Sequence, residues 1–443
     1  MRAQFKLPDS TTVNNINKKL LVAFFLMQPV LELILALFTD EKFQIGGISI
    51  ATMIRYGMIG VIAFLAVVFN FKRKCVKLFI GLTCLCGVYI LAQYLNVRSF
   101  DVVIYENSMD KSIIQIALYI SKYFIPIIVL FAVYLLKFGY NDLKWSVLPT
   151  VSFISLSMLI TNILGIDSIS YSFGKVKHPI ANIFKWFDKD FTYTDWRALT
   201  SRGMYPSGNE LASILGLLLP ITVYIALREK KHYSFIALFL QLVAMLMVGT
   251  RVSVYGAILL TIVIAAFWIA DALFNKKSIS KIKCCSLLLV FVLFAGIFFN
   301  SPFYCRVNQG EGGSTSDKEP DSDISLEDFL EDEDKLELIP EGEFENMSKE
   351  QYLKIQYILN NYNAHSIPYN LVLLVYDYID HTDFWIDLME NVEFSDRNNA
   401  RKIKTLILKD IFKNKEGNFE HIVGIGEIPI YPEQDFISQY YYL

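Results

Sequence analysis

Apolar residues come in long blocks separated by short polar turns. Nine blocks reach the ~20 residues that a helix needs to cross a bilayer: roughly 20–38, 49–69, 78–95, 114–136, 147–164, 210–227, 233–250, 252–274 and 284–300. Their middles carry little charge, and in lipid only a helix or a closed barrel satisfies its own backbone groups. The pattern predicts an all-α integral membrane protein with about nine transmembrane helices. After Ser301 the blocks stop. Gly310 to Glu345 is acidic and of low complexity, with Glu331-Asp332-Glu333-Asp334 at its centre, which predicts a flexible linker. Amphipathic segments follow at Lys349–Asn361, within Tyr369–Asn391, and at Asn398–Lys413, where Ile403, Leu406, Ile407 and Ile411 share one face.

The turns give an orientation. Lysine and arginine collect at the N-terminal arm (Arg2, Lys6, Lys18, Lys19) and after the second, fourth, sixth and eighth blocks. The turn after the sixth block reads Arg228-Glu229-Lys230-Lys231. Basic short turns stay cytoplasmic, so the N-terminus is expected inside and residues 302–443 outside. Three parts are predicted: a transmembrane helical domain over 1–301, an acidic linker over 302–345, and an extracytoplasmic helical domain over 346–443.

Composition agrees with a membrane class. Of 443 residues, 54% are hydrophobic and 19% charged, against about a quarter charged in soluble chains. The net charge of −3 hides basic turns in the first 300 residues and an acidic stretch after them. No nucleic-acid partner is expected. The six cysteines have no disulfide or metal-site spacing. The extracytoplasmic histidines His178, His365, His381 and His421 do not pair at ligand spacing, so neither a metal nor another cofactor is expected. The acidic linker lacks the glycine and final glutamate of a calcium loop. The first block lacks a cleavage site and reads as a retained helix.

A few charged residues sit where charge is expensive. Glu32 in the first block and Arg55 in the second lie about two turns from the outer ends, near ~10 Å deep. Lone charges at that depth are costly, so a Glu32–Arg55 ion pair is expected. Arg202 and Arg251 sit at the outer mouths of apolar blocks. Arg202 opens Arg202-Gly203-Met204-Tyr205-Pro206-Ser207-Gly208-Asn209-Glu210, where glycine and proline are expected to loosen the backbone ahead of a helix N-terminus. Such a terminus offers free N–H groups, and arginine binds phosphate oxygens bidentately. The two arginines are therefore expected to hold an anionic, lipid-linked substrate. Asp188-Lys189-Asp190 matches a short Asp-x-Asp metal pattern, but it lies in an outer loop and reads as solvated chain.

Four features together resemble the O-antigen ligase and polymerase superfamily of bacterial envelope glycan assembly. They are Arg202-Gly203 through Pro206 with Asn209-Glu210-Leu211-Ala212, then Gly249-Thr250-Arg251 with threonine in place of the family's serine. A large outer domain after about nine helices is the third. The fourth is Ser395-Asp396-Arg397, Gly424-Ile425-Gly426 and Glu433-Gln434-Asp435-Phe436. The resemblance implies glycan transfer from a polyprenyl-diphosphate donor to a hydroxyl acceptor on a glycan or lipid, at the outer face of the bacterial cytoplasmic membrane. It implies Arg202, Arg251 and Arg397 as charge for the departing diphosphate. Asp435, Glu433 and His421 are the candidates for the base, and Asn209, Glu433 and His421 for substrate contacts. The family continues with further helices after the outer domain, so that domain is read as incomplete at Leu443. A transporter or flippase would show internal repeats and correspondingly broken helices, which are not found. A non-catalytic scaffold of glycan assembly stays open.

Overall fold

The computed structural model describes residues 10–38, 44–45, 48–70, 74–98, 113–171, 177–188, 196–229, 231–274, 281–309, 348–361, 381–392 and 400–413. Among them the chain forms thirteen α-helices: α1 (Ser10–Leu37), α2 (Ile50–Phe69), α3 (Lys74–Arg98), α4 (Ile113–Leu135), α5 (Tyr140–Leu164), α6 (Gly208–Arg228), α7 (Tyr233–Val248), α8 (Arg251–Phe274), α9 (Lys281–Phe298), α10 (Pro302–Gln309), α11 (Lys349–Asn361), α12 (Thr382–Asn391) and α13 (Ala400–Lys413). A two-residue hairpin, β1 (Gln44–Ile45) against β2 (Ile48–Ser49), joins α1 to α2.

All nine apolar blocks fall in α1–α9, but only six of these helices are long and apolar enough to span a bilayer: α1, α2, α5, α6, α8 and α9. The other three hold shorter apolar stretches, Val76–Ala92, Phe124–Leu135 and Tyr233–Val248. For α7 the reason is plain. It packs against α5, α6, α8 and α9, and twelve of its sixteen residues are buried. A helix that is apolar all round because it is central gives the same sequence signal as one facing lipid. Gly249 ends it after sixteen residues by turning left-handed, φ 67°.

Two compact units divide the chain: Met1–Thr83 with Lys122–Gly313, and Cys84–Ser121 with Ser314–Leu443. In the first, the main core runs through α5, α6, α7, α8 and α9, with Met158, Leu215, Leu219, Leu238, Met245 and Phe303 fully enclosed. Buried amides tie helices together. Gln241 Nε2 on α7 donates to Leu215 O on α6 (2.8 Å), and Asn17 Nδ2 on α1 to Ile62 O on α2 (3.0 Å). Such bonds add specificity to helix contacts that apolar burial cannot drive within lipid.

One end of this unit gathers the basic turns. Lys18 pairs with Asp142 (3.3 Å), Lys144 with Glu229 (3.2 Å), and Tyr140 donates to Glu229 (2.9 Å). Arg228 lies over the Tyr140 ring at 4.2 Å, and Lys283 Nζ donates to Arg228 O at 3.2 Å. At the opposite end α5 and α7 finish while α6 and α8 begin, and there the candidate site lies.

In the second unit α11, α12 and α13 pack around Trp385, with Ile358, Leu388, Met389, Ile403 and Ile407. This accounts for the amphipathic face at 400–413. The helix expected within Tyr369–Asn391 begins at Thr382 among the described residues. The acidic run 310–345 lies outside them, and helix α10 occupies Pro302–Gln309 ahead of it.

Candidate active site

The connection from α5 to α6 builds the site. Asn162, in the last turn of α5, is buried. Its Nδ2 donates to Asp167 Oδ2 (2.8 Å), and its Oδ1 accepts from Ile183 N (2.8 Å). Asp167 Oδ2 also accepts from the Ser201 hydroxyl, which in turn accepts from Gly203 N at 3.1 Å. Backbone bonds complete the lattice: Ser168 N to Gly203 O (2.8 Å), Arg202 N to Ser168 O (2.9 Å) and Ser201 N to Met247 O (2.8 Å). The Thr200 hydroxyl accepts from Ser170 N at 3.1 Å.

Glycine and proline beside Arg202 predict a loosened backbone, and the structure corrects this. Residues 200–203 are strung between 167–170 and the end of α7. Gly203 takes φ 62°, and a Cβ there would lie 3.1 Å from Met158 Cα. Glycine here permits close packing, not freedom.

This lattice aims Arg202 inward. The residue is only 7% exposed, and its Nε and Nη1 have no hydrogen-bond partner among the described residues. Burial lowers its pKa from the ordinary arginine value, yet a guanidinium keeps its proton in proteins. Buried donors left unpaired cost about 1–3 kcal/mol each.

Arg251 is the first residue of α8 and is exposed. Only Gly249-Thr250 separates α8 from α7, and Thr250 Oγ1 caps α8 by accepting from Ser253 N at 3.2 Å. Gly249 is also where three segments meet. A Cβ placed on it would lie 2.8 Å from Thr200 Cγ2 and 3.8 Å from Pro302 Cβ. Arg202, Arg251 and Arg306 follow Thr200, Gly249 and Pro302 by two, two and four residues. Asn209 is exposed on the first turn of α6, whose N-cap Ser207 accepts from Glu210 N at 3.4 Å.

Sequence reasoning missed part of this end. Trp196 and Arg197 lie in a short 3-10 helix, Trp196–Leu199, which packs on α10. Arg306 of α10 lies over the Trp196 ring at 4.5 Å, and its Nη1 donates to Tyr171 Oη at 3.3 Å. Tyr171 meets Trp196 edge-on at 5.0 Å. Burial raises the Tyr171 pKa, while the nearby charges of Arg306, Arg197 and Arg251 oppose the rise. The available signal was the adjacent tryptophan and arginine at 196–197 in the long loop and an arginine in the eight residues before the acidic run.

Arg55 Nη2 lies 2.5 Å from Glu32 Oε1, joining α1 to α2. The Glu32 charge reaches Tyr205, whose hydroxyl, 3.1 Å from Ser157 Oγ, is pushed up to about 12, chiefly by burial. Reversing either charge alone is expected to cost about 2 kcal/mol and to lower the yield of folded protein. The double reversal should recover most of it. A double variant no more stable than either single one would remove the pair's structural role.

His178 is exposed, with Nδ1 2.5 Å from Asp167 O. When Nδ1 carries the proton it donates to that carbonyl, and Nε2 is left as an acceptor. Asp188 pairs with Lys185 at 3.0 Å; Lys189 and Asp190 lie outside the described residues, as do Arg397, His421, Glu433, Asp435 and His365. Among the described residues no three His, Cys, Asp or Glu side chains cluster as a metal site.

A polytopic helical membrane protein with three arginine-bearing segments meeting at one bundle end is the class that the fold defines. The chain belongs to the O-antigen ligase like membrane protein family, whose model matches residues 14–443. That membership makes it a multi-pass membrane protein of glycan ligation or polymerisation in polysaccharide biosynthesis. No curated protein and no solved structure matches it.

Proposed function

We propose that the protein transfers glycan from a polyprenyl-diphosphate carrier to a hydroxyl acceptor on another glycan or lipid. The reaction takes place at the outer face of the bacterial cytoplasmic membrane, with residues 302–443 outside. The observation that carries this reading is Arg202, a buried cation with two donors unpaired among the described residues, held by a hydrogen-bonded lattice beside the start of α8.

The acceptor oxygen attacks the anomeric carbon, and the bond from that carbon to the phosphate oxygen breaks. The hydroxyl proton passes to a base, and the polyprenyl diphosphate leaves with the electron pair. A diphosphate needs no acid to depart. Preorganised positive charge where its oxygens gain charge is the larger requirement. Arg202 and Arg251 supply it, and the resemblance adds Arg397. Arginine's planar fork suits two phosphate oxygens at once. Asp435, Glu433 and His421 remain base candidates from the resemblance. Among the described residues, His178 is the histidine whose ring is oriented by a backbone carbonyl of the same lattice.

The test is a purified, lipid-embedded protein given a polyprenyl-diphosphate-linked oligosaccharide and an acceptor glycan, with no nucleotide. Bond formation and release of polyprenyl diphosphate are expected. Movement of the carrier across the bilayer without bond formation would favour a flippase instead. If His178 is the base, His178→Ala lowers kcat by about 10²–10⁴-fold. An unchanged kcat assigns the base elsewhere.

A further inference from the structure

We infer that Arg306 is a further cation of this anion site, one that engages the second phosphate of a diphosphate. The inference rests on the reading given under Proposed function.

Its placement comes first. Arg251 and Tyr255 stand one turn apart on α8, and both are exposed; residues four apart share a helix face. Tyr255 meets Phe303 of α10 edge-on at 5.2 Å. Phe303 and Arg306 are again one turn apart, on α10. α8 and α10 thus touch through this ring pair, one turn from the arginine on each helix. Pro302, which opens α10, approaches the Gly249 turn that also meets Thr200 of the Arg202 segment.

Its preparation comes second. The Arg306 guanidinium is half-buried, stacked on Trp196 at 4.5 Å and oriented by the Tyr171 hydroxyl at 3.3 Å. Stacking fixes the plane, so the edge of the fork is what meets a ligand. An arginine fixed in this way loses less side-chain entropy on binding than a free one. Trp196 itself is buried beneath the cation, which argues against an open sugar-stacking platform there.

Chemistry comes third. A diphosphate ester carries more negative charge than one guanidinium neutralises, and it presents oxygens on two phosphorus atoms. Arg202 is buried at the loop, whereas Arg251 and Arg306 stand at its rim. A further cation on a separate helix lets the site grade diphosphate above monophosphate.

The experiment measures binding of farnesyl diphosphate and of farnesyl monophosphate to the full chain in lipid nanodiscs. Arg306→Gln keeps a donor for Tyr171 but removes the charge. It is expected to weaken diphosphate binding about tenfold, the scale of one charge-assisted bond, with monophosphate affinity within about twofold. Unchanged affinity for both ligands overturns the inference. Equal loss for both also overturns it, since that is what a structural brace between α10 and the Trp196 helix would give. If Arg306→Gln does not purify as a single species, Tyr171→Phe keeps the ring and removes the orienting hydroxyl. A selective loss for the diphosphate is then expected, and equal affinities overturn the inference. Arg251→Gln is the control on the underlying reading. If it weakens neither ligand, that reading fails and the inference with it; if it weakens both while Arg306→Gln weakens neither, only the inference falls.

Discussion

Replacing Arg202 by methionine is expected to cut glycan transfer by orders of magnitude and, at the same time, to raise the thermal stability of the ligand-free protein. The two effects share one cause. Arg202 is nearly enclosed, and its Nε and Nη1 lack partners among the described residues. In the resting protein those donors are a cost, since a buried unpaired polar group loses its water and gains nothing. Methionine fills similar space with no donor to satisfy, and replacing buried ionic groups by apolar ones of like volume is often neutral or stabilising. A gain of about 1–3 kcal/mol is expected. Transfer should fall by about 10²–10³-fold, the scale of removing one preorganised donor from a developing anion. Activity is read by release of polyprenyl diphosphate, stability by the thermal midpoint without substrate. A variant that melts earlier and still transfers would show that Arg202 is structural, and the anion site would lose its centre.

The helices were legible because apolar periodicity and length are local properties. Arg251 begins α8 and Gly208 begins α6, close to where the sequence places the two block mouths. The depth match of Glu32 and Arg55 also follows from counting turns, and these two side chains do meet. The number of crossings was less legible, because the apolar content of α7 reflects enclosure by four neighbouring helices. What could not be read was the α5–α6 connection. Its order rests on partners far apart in sequence: Asp167 with Ser201, Ser168 with Arg202 and Gly203, Ser201 with Met247. No short window carries that information, so the glycine and proline beside Arg202 suggested looseness where long-range bonds impose the reverse. Arg306 was hidden for a related reason. It stands just before an acidic run and acquires meaning only where α10 folds back onto Trp196 and Tyr171.

The meeting of three segments at Gly249 gives the second large expected effect. Gly249→Ala is expected to destabilise the protein by about 2–5 kcal/mol and to cut transfer sharply. Two separate penalties add. The backbone there has φ 67°, a left-handed conformation that costs a residue with a Cβ about 1–2 kcal/mol. The new methyl would also stand 2.8 Å from Thr200 Cγ2, closer than packed carbons tolerate, and such overpacking costs about 1–3 kcal/mol. Relief of that clash by backbone movement displaces Arg202 and Arg251 relative to one another, and orientation errors of this kind are costly to catalysis. Thr200→Ser separates the two penalties. It deletes the offending methyl but keeps the hydroxyl, which accepts from Ser170 N and donates to Arg197 O. Alone it should cost less than about 1.5 kcal/mol, the scale of one buried methyl. Combined with Gly249→Ala it should restore part of the stability and part of the transfer, leaving the left-handed strain in place. The double variant is therefore expected to be more stable than Gly249→Ala itself, a coupling that thermal midpoints in a double-mutant cycle would measure. Simple additivity of the two single losses would mean that Thr200 and Gly249 do not touch, and the convergence of the three arginine-bearing segments would lose its anchor.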